Sequence, residues 1–369
     1  MSTAAAILLP REEPVQLIDA TGTAHPDALY KLPSKERLLA GYRSLVIGRR
    51  VNDQCNALVR QGRLAVYPSS QGQEACQVAA AMALAEQDWM FPTYRESVAL
   101  ITRGVPATET MVLFRGDWHS GYDPARFRAA TQSTPLATQL LHAVGFAHAA
   151  KLKAKSGQHS DTVVLAMCGD GATSEGDFHE AMNFAAVFHL PVVFFVQNNE
   201  YAISVPLSRQ TAAPSLAHKA IGYGMPGERV DGNDLAALLA VLDAAVSRAR
   251  SGGGPTLIEA HTYRMQAHTN ADDDTRYREH ADVQAWVARD PLTRMRAFLT
   301  AKKWLTEGGE TEMTDEAEAI ALELRTVLNH EPEPDPEDLF RYVYAERTPQ
   351  LTEQWDGLRD ELARSEETS

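Results

Sequence analysis

The strongest constraint on the fold is the segment formed by residues 162–204, in which two short apolar runs flank a helical pattern. This arrangement predicts a β-α-β unit with one buried strand on each side of the helix. The crossover makes the two strands parallel, so their carboxyl ends lie at the same edge of the sheet. Asp170 follows the first strand and Asn199 the second, with 28 residues between them. We therefore expect these two side chains to be neighbours in space.

The helix between the two strands carries its own start and stop signals. Ser174 and Asp177 form a capping pattern at its beginning, and Pro191 ends it. The apolar positions Phe178, Met182, Ala185 and Phe188 repeat at helical spacing, which predicts one buried face.

The strand ends carry residues that suit a hard cation and a phosphorylated ligand. Asp170 offers a carboxylate and Asn199 an amide oxygen, which are ligands that Mg²⁺ accepts. Gly169 and Gly171 let a ligand approach the backbone closely, and the start of the following helix offers free N–H groups to phosphate. Each motif alone is typical of a tight turn or a loop. Their combination, each after a buried strand, favours a diphosphate site bridged by Mg²⁺.

The rest of the chain extends this pattern into a larger α/β domain. Strands and helices alternate through residues 34–305, which predicts a doubly wound parallel sheet with its site at the carboxyl ends of the strands. Residues 1–33 lack periodicity and are predicted to form a flexible or draped N-terminal arm. Residues 306–369 are acidic and helical, and we interpret them as a peripheral C-terminal extension.

Composition excludes some classes of partner. The formal charge of −14 argues against nucleic acid or an anionic membrane as the main partner. No run of 18 apolar residues is present, so no membrane span is predicted. Cys55, Cys76 and Cys168 show no metal-binding spacing, and their odd number suits a reducing cytoplasm.

Two stretches of the central unit resemble a known family. The motif Gly-Asp-Gly, followed by 26 residues and Asn-Asn, resembles the thiamine diphosphate signature. The segments GDGATSEGDFHEAMNFAA and PVVFFVQNNEYAIS resemble those of the alpha subunit of the decarboxylating component of 2-oxo acid dehydrogenase complexes. The resemblance runs from about Tyr42 to about Leu299 and implies a sheet of the thiamine diphosphate-binding type.

The resemblance assigns roles to individual residues. It implies that Asp170, Asn199 and Tyr201 hold Mg²⁺, and that His268 is catalytic, serving proton transfer or acyl handover at the cofactor. The residues that it implies for binding thiamine diphosphate are Tyr94, Arg95, Thr134, Leu136, Gly169, Gly171, Ala172, Gln197 and His268. The turn from residue 133 to 139 is similar to a K⁺-binding turn of branched-chain members, which makes Ser133, Pro135, Thr138 and Gln139 candidate K⁺ ligands. A capped helix start without metal, with Pro135 in its first turn, is the alternative.

The resemblance also implies partners and a substrate class. A glutamate that activates the cofactor belongs to a second polypeptide in this family, so a beta subunit in an α₂β₂ assembly and a lipoyl-acyltransferase core are expected. Val66 and Gln197 depart from the branched-chain pattern, whereas the turn at residue 133 and the acidic loop after His268 follow it. We slightly favour a branched-chain 2-oxo acid over pyruvate. An acetoin-cleaving relative and a catalytically silent scaffold subunit remain alternatives.

Overall fold

The computed structural model describes residues 8–116, 120–157, 161–330 and 335–367. The first seven residues of the predicted arm, part of the Pro-rich break after residue 330 and the last two residues lie outside the described residues.

A five-stranded parallel sheet organises most of the chain. The strands, in chain order, are β1 (Trp89–Phe91), β2 (Val164–Gly169), β3 (Val192–Asn198), β4 (Tyr201–Ala202), β5 (Val205–Pro206), β6 (Gly227–Asp231) and β7 (Thr256–His261). The short strands β4 and β5 form a separate antiparallel pair, and the other five lie side by side in the order β1-β2-β3-β7-β6. All pairings within the large sheet are parallel, as predicted.

Helices connect these strands and continue beyond them. In chain order they are α1 (Lys35–Arg60), α2 (Glu74–Met82), α3 (Ser97–Thr102), α4 (Ala107–Thr110), α5 (Val112–Arg115), α6 (Pro124–Phe127), α7 (Thr138–Lys155), α8 (Gly176–Val187), α9 (Leu235–Arg250), α10 (His280–Val287), α11 (Pro291–Ala301), α12 (Glu307–Asn329), α13 (Asp338–Arg341) and α14 (Pro349–Glu367). Short 3₁₀ segments cover Asp170–Ser174, Leu207–Arg209, Leu216–Tyr223 and Asp274–Arg276. Within the described part of the chain, no helix is both long and apolar enough to cross a bilayer.

Both faces of the sheet are covered, which explains the continuous apolar runs in its strands. Leu165 and Met167 of β2 belong to a buried cluster shared with α1, α2 and α9. Val164 and Ala166, which alternate with them, belong to a second cluster shared with α7 and α8. Because successive residues of a strand point to opposite faces, the helices lie on both sides. The predicted α/β fold with a doubly wound sheet is confirmed.

The helix that follows β2 begins later than predicted. A 3₁₀ turn takes up Asp170–Ser174, and α8 starts at Gly176 after Glu175, which makes no side-chain cap. The predicted capping by Ser174 and Asp177 is therefore wrong. Its core-facing positions Phe178, Met182 and Ala185 are buried as predicted, whereas Phe188 lies past the end of the helix and is 43% exposed.

The turn before α7 also differs from the prediction. The helix begins at Thr138, so Pro135 lies outside its first turn. Ala137 precedes the helix in the left-handed region with a φ of 63°. A non-glycine residue with this backbone conformation interrupts a right-handed helix, because its Cβ crowds the following carbonyl. Residues 133–137 thus form an irregular turn.

Single β-bridges close both edges of the sheet. At the β6 edge, Val15 N donates to Arg229 O at 2.8 Å, and Asp231 N donates to Val15 O at 3.0 Å. At the β1 edge, Met90 N donates to Arg128 O at 3.0 Å and Met90 O accepts from Ala130 N at 2.8 Å. Part of the predicted N-terminal arm is therefore draped over β6 and hydrogen-bonded to it.

One buried carboxylate anchors this arm. Asp234 Oδ2 accepts from Leu17 N at 2.6 Å and from Ile18 N at 2.7 Å. Its Oδ1 accepts from Ala236 N at 3.0 Å and Ala237 N at 3.2 Å, which caps α9. Asp234 therefore joins the arm to the start of α9.

We expect the substitution Asp234→Ala to lower the free energy of unfolding by on the order of 4 kcal/mol, because it removes a helix cap and leaves buried N–H groups unpaired. Urea unfolding of the full chain measures this change. Asp243→Ala is the matched control on the same helix, since Asp243 pairs with Arg37 near the surface. That substitution is expected to cost less than about 1 kcal/mol. Equal losses in the two variants would contradict the anchoring role.

The chain divides into two compact units, residues 1–328 and 329–369. The larger unit includes the sheet and most of α12, whose residues Ala317, Leu324 and Leu328 are buried in a cluster with α1. The sequence analysis had placed this helix in the C-terminal extension, from residue 306 onward. The smaller unit contains α13 and α14, in which Phe340 and Trp355 lie 5.8 Å apart between ring centroids.

Candidate active site

A cavity of about 690 Å³ lies at the carboxyl ends of β2 and β3. It is lined by every residue that the sequence analysis named for the cofactor and for Mg²⁺. These are Tyr94, Arg95, Thr134, Leu136, Gly169, Asp170, Gly171, Ala172, Gln197, Asn199, Tyr201 and His268. The cavity wall also contains Val66, which the sequence analysis connected with substrate choice.

The sheet brings Asp170 and Asn199 together as its topology requires. Gly169 of β2 is in register with Gln197 of β3, so both polar residues follow at the same edge. Asn199 N lies 3.4 Å from Asp170 Oδ1, to which it donates. Asp170 and Asn199 are both buried. The predicted proximity is thus present.

Three oxygen atoms converge beside Asp170. Asn199 Oδ1 lies 3.2 Å from Asp170 Oδ1 and 3.1 Å from the backbone oxygen of Tyr201. Two facing acceptors repel each other unless a cation or a donor lies between them. The opposite orientation of the Asn199 amide would present its NH₂ group to both oxygens and satisfy them without an ion. The direction of this amide therefore decides whether the site is suited to a cation.

Burial disfavours the ionised form of the Asp170 carboxylate. Desolvation raises the pKa of Asp170, and the hydrogen bond from Gln210 acts in the opposite direction. Gln210 Nε2 donates to Asp170 Oδ2 at 2.6 Å, which leaves Oδ1 for the three-oxygen group. A buried carboxylate with this environment is stabilised by a bound cation. Among the described residues, no cluster of three or more His, Cys, Asp or Glu side chains could hold a metal ion.

Gly171 leaves no room for a side chain. A Cβ built at this position would lie 2.7 Å from Ala202 Cβ. Because the 3₁₀ turn from Asp170 packs this closely against β4, only glycine fits without movement of one segment. Packing against β4 therefore accounts for glycine at this position, and the approach of a ligand to the backbone of this turn stays a prediction.

A second group of side chains surrounds His268. Arg95 is buried, and its Nη2 lies 3.2 Å from His268 Nδ1 and donates to His268 O at 3.0 Å. Arg264 Nη1 lies 3.4 Å from the same Nδ1. The ring of Tyr94 lies edge-on to the imidazole at 6.1 Å between centroids. His268 therefore faces the cavity between two guanidinium groups and an aromatic ring.

Burial and the two guanidinium groups together keep the imidazole neutral. Desolvation lowers the pKa of His268 to about 4, and the charges of Arg95 and Arg264 act in the same direction. The ring is therefore neutral at physiological pH. Both arginines are obligate donors, so Nδ1 must accept and the proton resides on Nε2. His268 is thus suited to donate a hydrogen bond or a proton from Nε2.

Gln73, Glu96, Gln210 and Arg264 are among the cavity residues that the sequence did not identify. Arg264 Nη1 donates to Tyr201 O at 3.1 Å, and its Nη2 donates to Ile203 O at 2.7 Å. Glu96 is buried, which raises its pKa, while hydrogen bonds from Thr93 and Gln197 lower it. Apart from the local contact between Thr93 and Glu96, these contacts join segments that are far apart in the chain, so no spacing pattern predicts them. A signal was present for Glu96 alone, which directly follows the Tyr-Arg pair.

The candidate K⁺ ligands do not line the cavity. Ser133 Oγ lies 3.4 Å from Pro135 O, and Thr138 opens α7. Gln139 Nε2 donates to Met167 O at 2.8 Å, whereas its buried Oε1 has no hydrogen-bond partner among the described residues. An unpaired buried oxygen next to this turn is compatible with a cation.

Comparison with known proteins shows the family. Residues 42–337 match the family model described as "Dehydrogenase E1 component". The chain is 48% identical over 355 residues to the 3-methyl-2-oxobutanoate dehydrogenase subunit alpha of Mycobacterium tuberculosis strain H37Rv, covering 96% of this chain and 95% of that protein. It is 38% identical over 346 residues to the pyruvate dehydrogenase E1 component subunit alpha of Staphylococcus aureus strain N315, covering 93% and 92%.

These matches extend over nearly the whole chain and over the residues that line the cavity. They confirm the resemblance found in the sequence. They also confirm its main functional prediction, an oxidoreductase subunit in the thiamine diphosphate-dependent conversion of a 2-oxo acid. The chain therefore belongs to the dehydrogenase E1 component family.

Proposed function

We propose that the chain is the alpha subunit of a dehydrogenase that decarboxylates a branched-chain 2-oxo acid and transfers the acyl group to a lipoyl-acyltransferase. The observation that carries this proposal is the convergence of Asp170 Oδ1, Asn199 Oδ1 and Tyr201 O in a cavity at the carboxyl edge of the sheet. Three oxygens of this kind, one of them charged, suit Mg²⁺ bound to a diphosphate. Thiamine diphosphate, when bound, supplies the electron sink that decarboxylation requires.

The residues of this chain bind and orient the ligand in the proposal. Tyr94 and Arg95 lie in the cavity wall, where a guanidinium can bind phosphate oxygens. Gly169, Gly171 and Ala172 present the backbone of the turn after β2. Thr134, Leu136 and Gln197 complete the wall on the other sides. His268 donates from Nε2 to an oxygen atom of the reacting group.

The proposed substrate is 3-methyl-2-oxobutanoate or a related branched-chain 2-oxo acid. The M. tuberculosis relative named for that substrate is 48% identical to this chain, against 38% for the pyruvate dehydrogenase relative. Val66, Leu113 and Phe114 give the cavity an apolar wall that suits an aliphatic side chain. Pyruvate is the competing substrate.

The proposal includes a beta subunit, an acyltransferase core and a second ion. The names of both relatives describe alpha subunits, which supports a partner chain that contributes the activating glutamate. An α₂β₂ assembly is the arrangement that we expect. We propose K⁺ at the turn formed by Ser133, Pro135, Thr138 and Gln139, supported by the unpaired Gln139 Oε1. The three free, buried cysteines support a cytoplasmic location.

The proposed function is tested by coexpression of this chain with a candidate beta subunit and measurement of CO₂ release. Release from 3-methyl-2-oxobutanoate is expected to exceed release from pyruvate, and to require both thiamine diphosphate and Mg²⁺. Turnover that is independent of thiamine diphosphate would contradict the proposal. A higher kcat/KM for pyruvate would overturn the substrate but leave the reaction class in place.

We expect Val66→Ala to lower kcat/KM for 3-methyl-2-oxobutanoate about tenfold more than kcat/KM for pyruvate. The substitution removes two methyl groups from the apolar wall, and a lost methylene contact costs about 1–3 kcal/mol of transition-state binding. Steady-state kinetics with both substrates measures the ratio. Val59→Ala is the matched control, because Val59 is also partly buried but does not line the cavity. An unchanged ratio in the Val66 variant would place the branched side chain elsewhere.

A further inference from the structure

Four buried side chains form a continuous hydrogen-bonded chain that ends at the proposed Mg²⁺ site. Gln197 Nε2 donates to Glu96 Oε1 at 2.7 Å, and Gln73 Nε2 donates to Gln197 Oε1 at 3.2 Å. Asn199 Nδ2 donates to Gln73 Oε1 at 2.8 Å. All four side chains are buried and line the cavity. Below, this series is called the amide chain.

Every amide in the amide chain has one donor end and one acceptor end. Fixing the direction of one amide therefore fixes the direction of the next, because a donor must meet an acceptor at each contact. If Gln197 turned over, its oxygen would face Glu96 and its NH₂ group would face Gln73. Gln73 and Asn199 would then have to turn over as well. The amide chain has only two satisfied directions.

Glu96 sets which of the two directions is present. Its Oε2 accepts from Thr93 N at 2.6 Å and also from the Thr93 hydroxyl. Its Oε1 accepts from Gln197. A carboxylate offers acceptors only, so Gln197 must present its NH₂ group to Glu96. Through Gln73, this requirement turns Asn199 Oδ1 toward Asp170 and Tyr201 O, which is the direction that suits a cation. Tyr201 N, which donates to Asn199 Oδ1 at 3.4 Å, supports the same direction.

We propose that Glu96 is a positioning residue for the divalent cation: it sets the direction of the amide chain and thereby turns the Asn199 oxygen into the metal site. Glu96 acts through Gln197 and Gln73. The inference rests on the proposed function, since it assumes that a divalent ion binds with the diphosphate at Asp170. It adds a residue that is separated from the ligand Asn199 by two amides, and that favours binding of a cation over an internal hydrogen bond at this site.

The substitution Glu96→Gln tests the proposal with almost no change in shape. Thr93 N–H retains an oxygen at the Oε2 position, so the new NH₂ group at position 96 faces Gln197. The amide chain must then reverse, and Asn199 presents its NH₂ group to Asp170. We expect the affinity of the assembled enzyme for Mn²⁺, used in place of Mg²⁺ with thiamine diphosphate, to fall at least about tenfold, as for other outer-sphere partners of metal ligands. Electron paramagnetic resonance of free Mn²⁺ measures the affinity without reference to turnover.

A second substitution should restore the original direction. In the double variant Glu96→Gln/Gln197→Glu, the carboxylate moves to position 197 and accepts from both neighbours. Gln73 again donates toward position 197, and Asn199 again turns its oxygen toward Asp170. Gln197→Glu alone places a second carboxylate next to that of Glu96, and the repulsion between them should weaken Mn²⁺ binding. We expect the double variant to bind Mn²⁺ with an affinity within about threefold of the wild type. If the two positions were independent, the losses of the single variants would add instead.

Glu259→Gln is the matched control for loss of a buried carboxylate. Glu259 accepts from Asn198 Nδ2 at 2.8 Å and from Ala217 N at 2.9 Å, and it does not belong to the amide chain. Its substitution is expected to leave Mn²⁺ affinity within about twofold of the wild type. The inference would be overturned if the Glu96→Gln variant bound Mn²⁺ with wild-type affinity, or if the double variant bound Mn²⁺ no more tightly than Glu96→Gln. Either result would leave the proposed function in place. A wild-type enzyme that takes up no Mn²⁺ with thiamine diphosphate would overturn the proposed function as well.

Discussion

Replacement of Asp170 by asparagine is expected to lower cofactor-dependent CO₂ release at least about 1000-fold while raising the melting temperature of the protein without cofactor. The loss corresponds to about 4 kcal/mol, a magnitude expected for the loss of a metal ion that neutralises developing charge. The gain follows from the sign of the pKa shift. Burial raises the pKa of Asp170, so at neutral pH its ionised form opposes folding unless a cation compensates it.

A fall in CO₂ release together with a rise in melting temperature distinguishes loss of the ion from loss of the fold. Activity is measured at saturating thiamine diphosphate and Mg²⁺, and thermal unfolding is measured after both are removed. Asp177→Asn is the matched control, because Asp177 lies seven residues on, in the first turn of α8, and is only partly buried. This substitution should change neither the CO₂ release nor the melting temperature appreciably. Retained activity in the Asp170 variant, or a lower melting temperature together with lost activity, would argue against a cation at this carboxylate.

Replacement of His268 by alanine is expected to lower kcat about 10²- to 10⁴-fold, the range for a positioned proton donor or acceptor. Since desolvation lowers the pKa of His268 to about 4, its ring is neutral at neutral pH and loses that state only as the pH falls through about 4. We therefore expect no ionisation of His268 in the rate profile between about pH 5.5 and 8. Arg264→Gln removes a neighbouring positive charge and should raise the pKa of His268. The rate of the Arg264 variant should then decline at the acid end of the pH profile.

A second substitution at His268 separates its possible roles. His268→Gln places an amide NH₂ near the position of Nε2, so it preserves hydrogen-bond donation but cannot transfer a proton. Partial recovery of kcat relative to the alanine variant indicates donation, and no recovery indicates proton transfer. His218→Ala is the control, because His218 contacts Ser215 and does not line the cavity. Full activity in the His268→Ala variant would exclude both roles.

The sequence was sufficient for those parts of the site that depend on local pattern and sheet topology. The proximity of Asp170 and Asn199 could be predicted because parallel strands carry both to one edge. The details of the turns could not be predicted from the sequence. The capping by Ser174 and Asp177 was wrong because a 3₁₀ turn consumes the residues that would have begun the helix. The left-handed backbone of Ala137, with a φ of 63°, likewise moves the start of α7 beyond Pro135.

The amide chain was not predictable from the sequence for a different reason. Glu96 and Gln197 are 101 residues apart, and Gln73 and Asn199 are 126 residues apart. Such contacts exist only after the loops at the sheet edge have packed together, and no periodicity connects them. Their directions depend in addition on which end of each amide meets a donor. Local pattern therefore identified the ligands of the proposed ion but not the residues that orient them.

The two bridges at Val15 and Met90 have a consequence for assembly. A single bridge on each outer strand interrupts the row of backbone groups that β6 and β1 would otherwise offer to a further polypeptide. Other subunits are thus expected to attach by contacts between side chains on helices and loops, and not by extending the sheet into theirs. The same bridges are expected to hinder edge-to-edge pairing between folded copies of this chain.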